Sequence, residues 1–329
     1  MEDKFERQID YLRVSVTDRC NLRCFYCMPE EGIELKTHEE ILSYEELYNI
    51  IKSATELGFK KIRLTGGEPL VRKGIVNFIE KLHQLEIDDL ALTTNGILLS
   101  KYAADLKAAG LDRVNISLDT LQSDKFREIT CSENYSLSDV MKGIKEAQRV
   151  GLTPIKLNVV LIRGVNDNEI EDFARLTIDS ELIVRFIEVM PLGNNYDWVK
   201  EKHISITKVK EELNQFDSLI PAEEGVGNGP AKYYRFSKAA GKIGFISPIS
   251  DHYCPSCNRI RLTADGFLKS CLMADKELNI KKAIRSESQA DGLKKVLKQS
   301  ILAKPKQGLG DEISADFESN KRLMSQIGG

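Results

Sequence analysis

Between residues 9 and 16 (IDYLRVSV) the chain alternates Leu12, Val14 and Val16 with Tyr11, Arg13 and Ser15, the period-two pattern of a strand with one polar face. Ser43-Tyr44-Glu45-Glu46 then has the form of a capping box, and Leu47, Ile50, Ile51 and Ala54 follow at helical spacing as far as Gly58. Strand-like segments recur at residues 60–65, 88–93, 112–118, 154–162 and 182–189, separated by stretches of helical periodicity, with Gly110 and Gly151 as further helix stops. Six alternating units imply a parallel sheet with right-handed crossovers, either open and doubly wound or curled into a barrel. Strand parity separates the two. Leu12 and Val14, Ile62 and Leu64, Leu90 and Leu92, Val114 and Ile116, and Ile155 and Leu157 can all face helices. Their alternates are Arg13 and Ser15, Arg63 and Thr65, Thr93, Asn115 and Ser117, and Lys156 and Asn158. A doubly wound sheet, buried on both faces, would read as continuously apolar. The pattern therefore predicts an α/β fold, an incomplete six-stranded (β/α)6 TIM-type barrel with a wide polar lumen and its chemistry at the strand C-termini. In the sixth strand Arg185, Ile187 and Val189 share one parity, and Val184, Phe186, Glu188 and Met190 the other.

After Met190-Pro191 the alternation stops. Residues 206–216 have helical spacing, residues 231–246 (AKYYRFSKAAGKIGFI) read as a hairpin, and Arg259 to Cys271 as a second hairpin turning at Asp265-Gly266. The expected organisation is a barrel over residues 1–195, a smaller α+β unit over 196–305, and a polar, flexible tail over 306–329 that ends in Gly328-Gly329. No internal repeat beyond the βα alternation and no low-complexity tract interrupts this order.

Length and charge narrow the function classes. At 329 residues the chain can bury a large core, and 47 basic against 50 acidic residues give a formal charge of -3 with no long basic run suited to a nucleic-acid backbone. No apolar run is long enough to span a membrane, and the acidic start MEDKFERQID is neither a signal nor a transit sequence, so a cytoplasmic location is expected. Seven cysteines in two tight groups and one outlier suit metal ligation in a reducing compartment rather than a disulfide scaffold.

The first group, Cys20, Cys24 and Cys27, has C-x3-C-x2-C spacing on the loop that leaves the first strand. Three thiolates on a 4Fe-4S cluster leave one iron open to a small-molecule chelate, whereas an electron carrier usually fills all four positions. A zinc site short of a ligand, or three unrelated thiols, is the plainer alternative. At the end of the second strand, Thr65-Gly66-Gly67-Glu68-Pro69 offers glycines that let backbone approach a ligand, with free amides and Glu68 suited to an amino acid moiety. The second group is Cys254, Cys257 and, fourteen residues later, Cys271, again three thiols, to be read either as an open cluster or as a structural site completed by His252 or Cys131. Arg259 and Arg261 follow on one parity, a suitable pair of guanidinium forks for an anionic, polydentate ligand. Arg13, Arg63 and Lys156 share the lumen parity, where isolated cations are costly without an anion; with Arg185 they read as a triphosphate cage.

The C-x3-C-x2-C motif with Tyr26 before its last cysteine, together with GGEP, resembles the radical S-adenosylmethionine (SAM) superfamily, whose partial six-stranded barrel agrees with the fold read from parity. More closely, LRVSVTDRCNLRCFYCMP, IRLTGGEPL, TTNG, NISLD, RFIEVMP, CPSCNRIRLTADG and the terminal double glycine resemble the GTP 3',8-cyclase family of molybdenum cofactor biosynthesis over essentially the whole chain. The resemblance implies two 4Fe-4S clusters, on Cys20, Cys24 and Cys27 and on Cys254, Cys257 and Cys271. It implies SAM contacts from Tyr26, Gly67, Ser117 and Met190, and GTP contacts from Arg13, Arg63, Thr93, Lys156, Arg185, Arg259 and Arg261, with Thr94 the neighbour that could replace Thr93. Arg13, Lys156, Arg259, Arg261, Gly328 and Gly329 would act in catalysis, the glycines by entering the active site. Implied partners are a flavodoxin or ferredoxin as electron donor, a downstream cyclic pyranopterin synthase and a second copy in a homodimer. A radical SAM peptide-modifying enzyme with an auxiliary cluster and a non-catalytic iron-sulfur electron carrier are the alternatives. Cys131, His38, His83 and His203 fall in no ligand spacing and are expected to be incidental.

Overall fold

The computed structural model describes residues 1–192, 195–223, 229–274, 276–285, 289–308 and 322–328. Strands β1 (Tyr11–Ser15), β2 (Lys61–Thr65), β3 (Asp89–Thr94), β4 (Arg113–Ser117), β5 (Lys156–Leu161) and β6 (Ile183–Glu188) alternate with helices α1 (Tyr44–Thr55), α2 (Ile75–His83), α3 (Leu99–Ala108), α4 (Ser123–Thr130), α5 (Leu137–Arg149) and α6 (Ile170–Arg175). All six strands are parallel and neighbours in sequence order, as the alternation requires. The Ser43 hydroxyl accepts from the Glu46 amide while the Glu46 side chain accepts from the Ser43 amide, so α1 begins where the capping box places it. Leu47, Ile50, Ile51 and Ala54 are all buried on the face that meets the sheet. Gly58, Gly110 and Gly151 end their helices at φ +92°, +92° and +75°, in the left-handed region where a Cβ is disfavoured.

The parity holds along the barrel. Leu12, Val14, Ile62, Leu64, Leu90, Leu92, Val114, Ile116, Ile155 and Leu157 are buried beneath the helices, and the cationic alternates turn inward.

The C-terminal α+β unit supplies α7 (Tyr196–Lys202), α8 (Ile206–Phe216), β7 (Ile220–Pro221), β8 (Lys232–Arg235), β9 (Lys242–Ile246), β10 (Arg259–Leu262), β11 (Phe267–Lys269), β12 (Glu277–Asn279), α9 (Lys281–Ile284) and α10 (Gln289–Leu302). Both expected hairpins form. They do not make a sheet of their own. β10 pairs parallel with β1 and β9 parallel with β6, so the sheet runs β12-β11-β10-β1-β2-β3-β4-β5-β6-β9-β8-β7. An incomplete barrel leaves two edges of unmet backbone donors and acceptors, and the later strands satisfy both. The second cysteine group is thereby carried onto the strand beside β1.

The tail expectation needs correction at its end. Residues 309–321 and Gly329 lie outside the described residues, but α11 (Met324–Ile327) is packed, with Ser325 and Ile327 buried and Met324 against the cluster of Leu192 and Met273. Met324 and Ile327 supply the apolar contact that holds it. Among the described residues, no helix is long and apolar enough to cross a membrane.

Candidate active site

The loop carrying Cys20, Cys24 and Cys27 is held from the side of β2. The Val16 amide donates to Thr65 O (2.9 Å), and the Gly67 and Glu68 amides donate to Thr17 O and Arg19 O, both at 2.8 Å. A Cβ on Gly67 would lie 2.4 Å from Arg19 O, and one on Gly66 2.6 Å from Thr17 O. The Gly-Gly-Glu turn is therefore a clamp on the cysteine loop. This corrects the expectation of free amides and of Glu68 as a ligand to an amino acid moiety. The Glu68 carboxylate is buried and accepts from Thr94 Oγ1 (2.8 Å), the Asn95 amide (2.7 Å) and the Leu70 amide (3.0 Å). Burial pushes it up to about 7 although those hydrogen bonds oppose the rise.

Tyr26 donates to Asp119 Oδ2 at 2.6 Å, and Asp119 Oδ1 accepts from the Val160 amide at 2.8 Å, which anchors the cysteine loop to β4 and β5. Asp119 was not singled out from sequence, although it closes the NISLD motif. Ser117 ends β4 opposite Asn158 of β5, partly exposed. All seven cysteines are free thiols. Burial pushes Cys20 up to about 11 and Cys27 up to about 12.

Cys254 opens a short turn (Cys254–Ser256), Cys257 precedes β10 and Cys271 follows β11. These three line one cavity with Met190, Tyr253, Arg259 and Arg261. The Arg259 guanidinium lies 5.1 Å above the Tyr253 ring, with Nη2 3.9 Å from Cys257 Sγ. Burial alone would raise Cys257, but Arg259 and Lys304 outweigh it and bring the thiol down to about 6.

Among the described residues no three His, Cys, Asp or Glu side chains converge on a single ion position. Cys20, Cys24 and Cys27 on one loop, and Cys254, Cys257 and Cys271 lining one cavity, fit the thiolate donor sets of iron-sulfur clusters. His252 and Cys131 are not among the residues that line the second cavity.

Beside the second triad lies a further cavity, lined by Arg13, Arg63, Lys156, Arg185, Arg259 and Arg261 among others. Register explains the convergence, since Arg261 pairs with Arg13 and Arg13 with Arg63, while Arg185 lies beside Asn158. Arg63 Nε and Arg185 Nε are buried with no hydrogen-bond partner among the described residues. Burial, then Arg185, Arg113 and Arg63, pushes Lys156 down to about 6. Burial lowers Arg13 as well, with Arg261 and Arg63 adding to the effect. Such crowding is what a polyanion relieves. Arg113, which sequence reasoning passed over although its parity was right, also lines the cavity but is neutralised by Asp89 through bonds of 2.8 and 2.6 Å. Thr93 is not among the lining residues; it sits opposite Asn115, whose amide reaches it at 3.4 Å, while Thr94 is committed to Glu68.

The chain's end enters the same space. Gly328 O accepts from Arg261 Nη1 at 2.8 Å, Met324 lines the lumen, and the Ser325 amide hydrogen-bonds Cys27. Met190 borders both cavities. Two further residues had no sequence signal. Arg7 donates to Cys254 O (2.8 Å) and Pro305 O (2.6 Å), and Lys304 to Arg259 O and Ser270 O.

The Radical SAM superfamily profile matches residues 14–177, and that of Molybdenum Cofactor Synthesis C matches 182–309. Curated GTP 3',8-cyclases from Alkaliphilus oremlandii, Thermodesulfovibrio yellowstonii and Petrotoga mobilis are 50%, 51% and 48% identical, each over 100% of both chains. The chain belongs to the GTP 3',8-cyclase family. Among solved structures, Streptococcus suis SuiB bound to S-adenosylmethionine is similar in fold, with a TM-score of 0.58 and 15% identity over 87% of this chain and 68% of that one. The AdoMet-bound anSMEcpe structure aligns at a TM-score of 0.51, with 16% identity over 85% of this chain and 78% of that one. Membership of the GTP 3',8-cyclase family makes this a radical SAM enzyme, and the boundary between the two matched profiles falls just before β6.

Proposed function

We propose that the chain cyclises GTP to (8S)-3',8-cyclo-7,8-dihydroguanosine triphosphate, the first step of molybdenum cofactor biosynthesis, with SAM at the first triad and GTP between the second triad and the cationic lumen. The observation that carries this reading is a lumen lined by Arg13, Arg63, Lys156, Arg185, Arg259 and Arg261 that shares Met190, Tyr253, Arg259 and Arg261 with the cavity of the second triad and reaches the first triad through Met324 and Ser325. When bound, SAM on its cluster supplies the radical that removes hydrogen from the ribose 3' carbon. Tyr26, Ser117 and Met190 line the SAM position; Gly67, whose amide is spent on Thr17 O, offers its carbonyl. Arg13, Arg63, Lys156 and Arg185 grip the triphosphate, and for Thr93, which does not line the cavity, the family resemblance alone supports a contact. Arg259 and Arg261 orient the nucleotide beside the second cluster, and Gly328 completes the wall through Arg261, while Gly329, the other glycine of the pair, lies outside the described residues. The family resemblance alone supports a flavodoxin or ferredoxin donor, a downstream cyclic pyranopterin synthase and a homodimer; sedimentation at assay concentration reads the last.

An anaerobic assay with reconstituted protein, dithionite, SAM and GTP tests the reading. Formation of 5'-deoxyadenosine with consumption of GTP is expected. SAM cleavage that consumes a peptide but no GTP would support the peptide-modifying alternative, and no SAM cleavage at all would leave an electron carrier. Removing Gly328 and Gly329 should keep SAM and GTP binding while stopping cyclisation, and full turnover without them would dismiss the tail.

Lys156 gives the site a pH signature. Its ammonium is disfavoured in the free lumen, at about 6, and a triphosphate restores it. Binding above pH 6 therefore takes up a proton, and affinity falls by up to about tenfold per pH unit above that value. Calorimetry at pH 7.5 in buffers of different ionisation enthalpy should detect the uptake. Lys156→Met should bind GTP more weakly and without that proton; equal uptake in the two proteins would remove Lys156 from the triphosphate site.

A further inference from the structure

We propose that Lys304 is a positioning residue of the second triad that also raises the reduction potential of the cluster held there. The proposal rests on reading Cys254, Cys257 and Cys271 as a cluster site. Lys304 follows α10, is only 3% exposed, and lines the same cavity as the three cysteines. Its Nζ donates to Arg259 O and to Ser270 O, both at 2.8 Å. The first carbonyl lies two residues after Cys257, and the second immediately precedes Cys271. Its charge also bears on Cys257, favouring the thiolate there. Two of the three donors of the ammonium thus go to the frame of the triad. The lysine is itself held from behind. Arg7 donates to Pro305 O (2.6 Å) and Lys306 O (3.2 Å) while also donating to Cys254 O (2.8 Å). One buried cation thus ties β10 to the end of β11 and sets positive charge against a ligand thiolate.

The electrostatic consequence has a definite sign. One-electron reduction by dithionite adds a negative charge to the cluster, with no bond made or broken. A cation fixed at a ligand sulfur, in a site of low dielectric, favours the reduced form. The hydrogen bonds to two carbonyls contribute separately, by fixing where Cys257 and Cys271 stand.

The full chain, reconstituted anaerobically, is titrated with dithionite while both clusters are followed by electron paramagnetic resonance and iron per chain is counted. A variant with Cys254, Cys257 and Cys271 changed to serine assigns the second signal. If the unaltered chain holds no more iron than that variant, the reading of the triad fails and takes this inference with it. With two signals present, Lys304→Gln, which keeps an amide donor but no charge, should lower the second midpoint potential. A tenfold change in the reduced-to-oxidised ratio is expected, about 59 mV for a one-electron couple. The first signal should stay in place, and Lys304→Arg should restore the second. An unshifted second potential in Lys304→Gln at full iron content would overturn the role of charge. Loss of the second cluster from Lys304→Gln with its return in Lys304→Arg would support the positioning role, and loss from both would count against it.

Discussion

Gly67→Ala is expected to strip the first cluster from the protein and to lower SAM cleavage by at least about 100-fold, the scale at which a displacement of about 1 Å is felt in a reacting site. The added Cβ would lie 2.4 Å from Arg19 O, 2.6 Å from Arg19 C and 3.0 Å from Asp18 O. All three are backbone atoms, so no side chain can swing aside. The loop that begins at Cys20 must move instead, and the hydrogen bond from the Glu68 amide to Arg19 O would be lost with it. Overpacking of this kind costs about 1–3 kcal/mol, which a protein of this size survives. Iron content should fall toward that of one cluster while the fold persists. Gly58→Ala is the control. Nothing lies within 4 Å of its added Cβ, but its φ of +92° strains a side chain, so it should cost about 1–2 kcal/mol of stability without changing iron content. An alanine at residue 67 that retains full iron and 5'-deoxyadenosine formation would show that the clamp is not tight.

Cys257→Ser should separate the two halves of the reaction. SAM is still cleaved to some extent, because the first triad, the Gly-Gly-Glu clamp and Tyr26 are untouched. GTP cyclisation is expected to fall by more than about 100-fold, beyond the loss usually seen when only an outer partner of a metal ligand is removed. Arg259 and Lys304 favour the thiolate at Cys257 despite burial, and a serine hydroxyl at the same place stays protonated. Product chromatography reads the two activities side by side, and the second cluster's resonance signal should vanish. Unaffected cyclisation would sink the role given to the second triad. Cys131→Ser should change neither activity, since that thiol is exposed and its Sγ is turned to Glu128 O, 3.5 Å away, at the end of α4.

Helix α10 shows a limit of pattern reading that was avoidable. Leu293, Leu297 and Ile301 recur every four residues and all are buried, yet a polar surrounding sequence obscured them. Arg113 was likewise legible by parity. Lys304 and Arg7 were not, because their partners are backbone carbonyls, and a carbonyl has no sequence signature. Glu68 was misassigned for a related reason. A carboxylate next to two glycines looks available until one sees the Thr94 hydroxyl and the Asn95 amide turned toward it.

The local pattern alone determined the order of strands β1 to β6, the face each presents, the capping of α1, and the two three-thiol groups with their cationic neighbours. These follow from periods of two and 3.6 residues and from ligand spacing, which are properties of short stretches. Only the tertiary structure decided that the C-terminal strands join both edges of the barrel sheet. It also decided that Arg259 and Arg261 stand beside Tyr11 and Arg13, that the GGEP turn grips the cysteine loop rather than a ligand, and that Gly328 reaches Arg261. Unmet edge hydrogen bonds and close backbone approach bring about these arrangements. Both depend on what lies tens to hundreds of residues away in the chain, where no local period reaches.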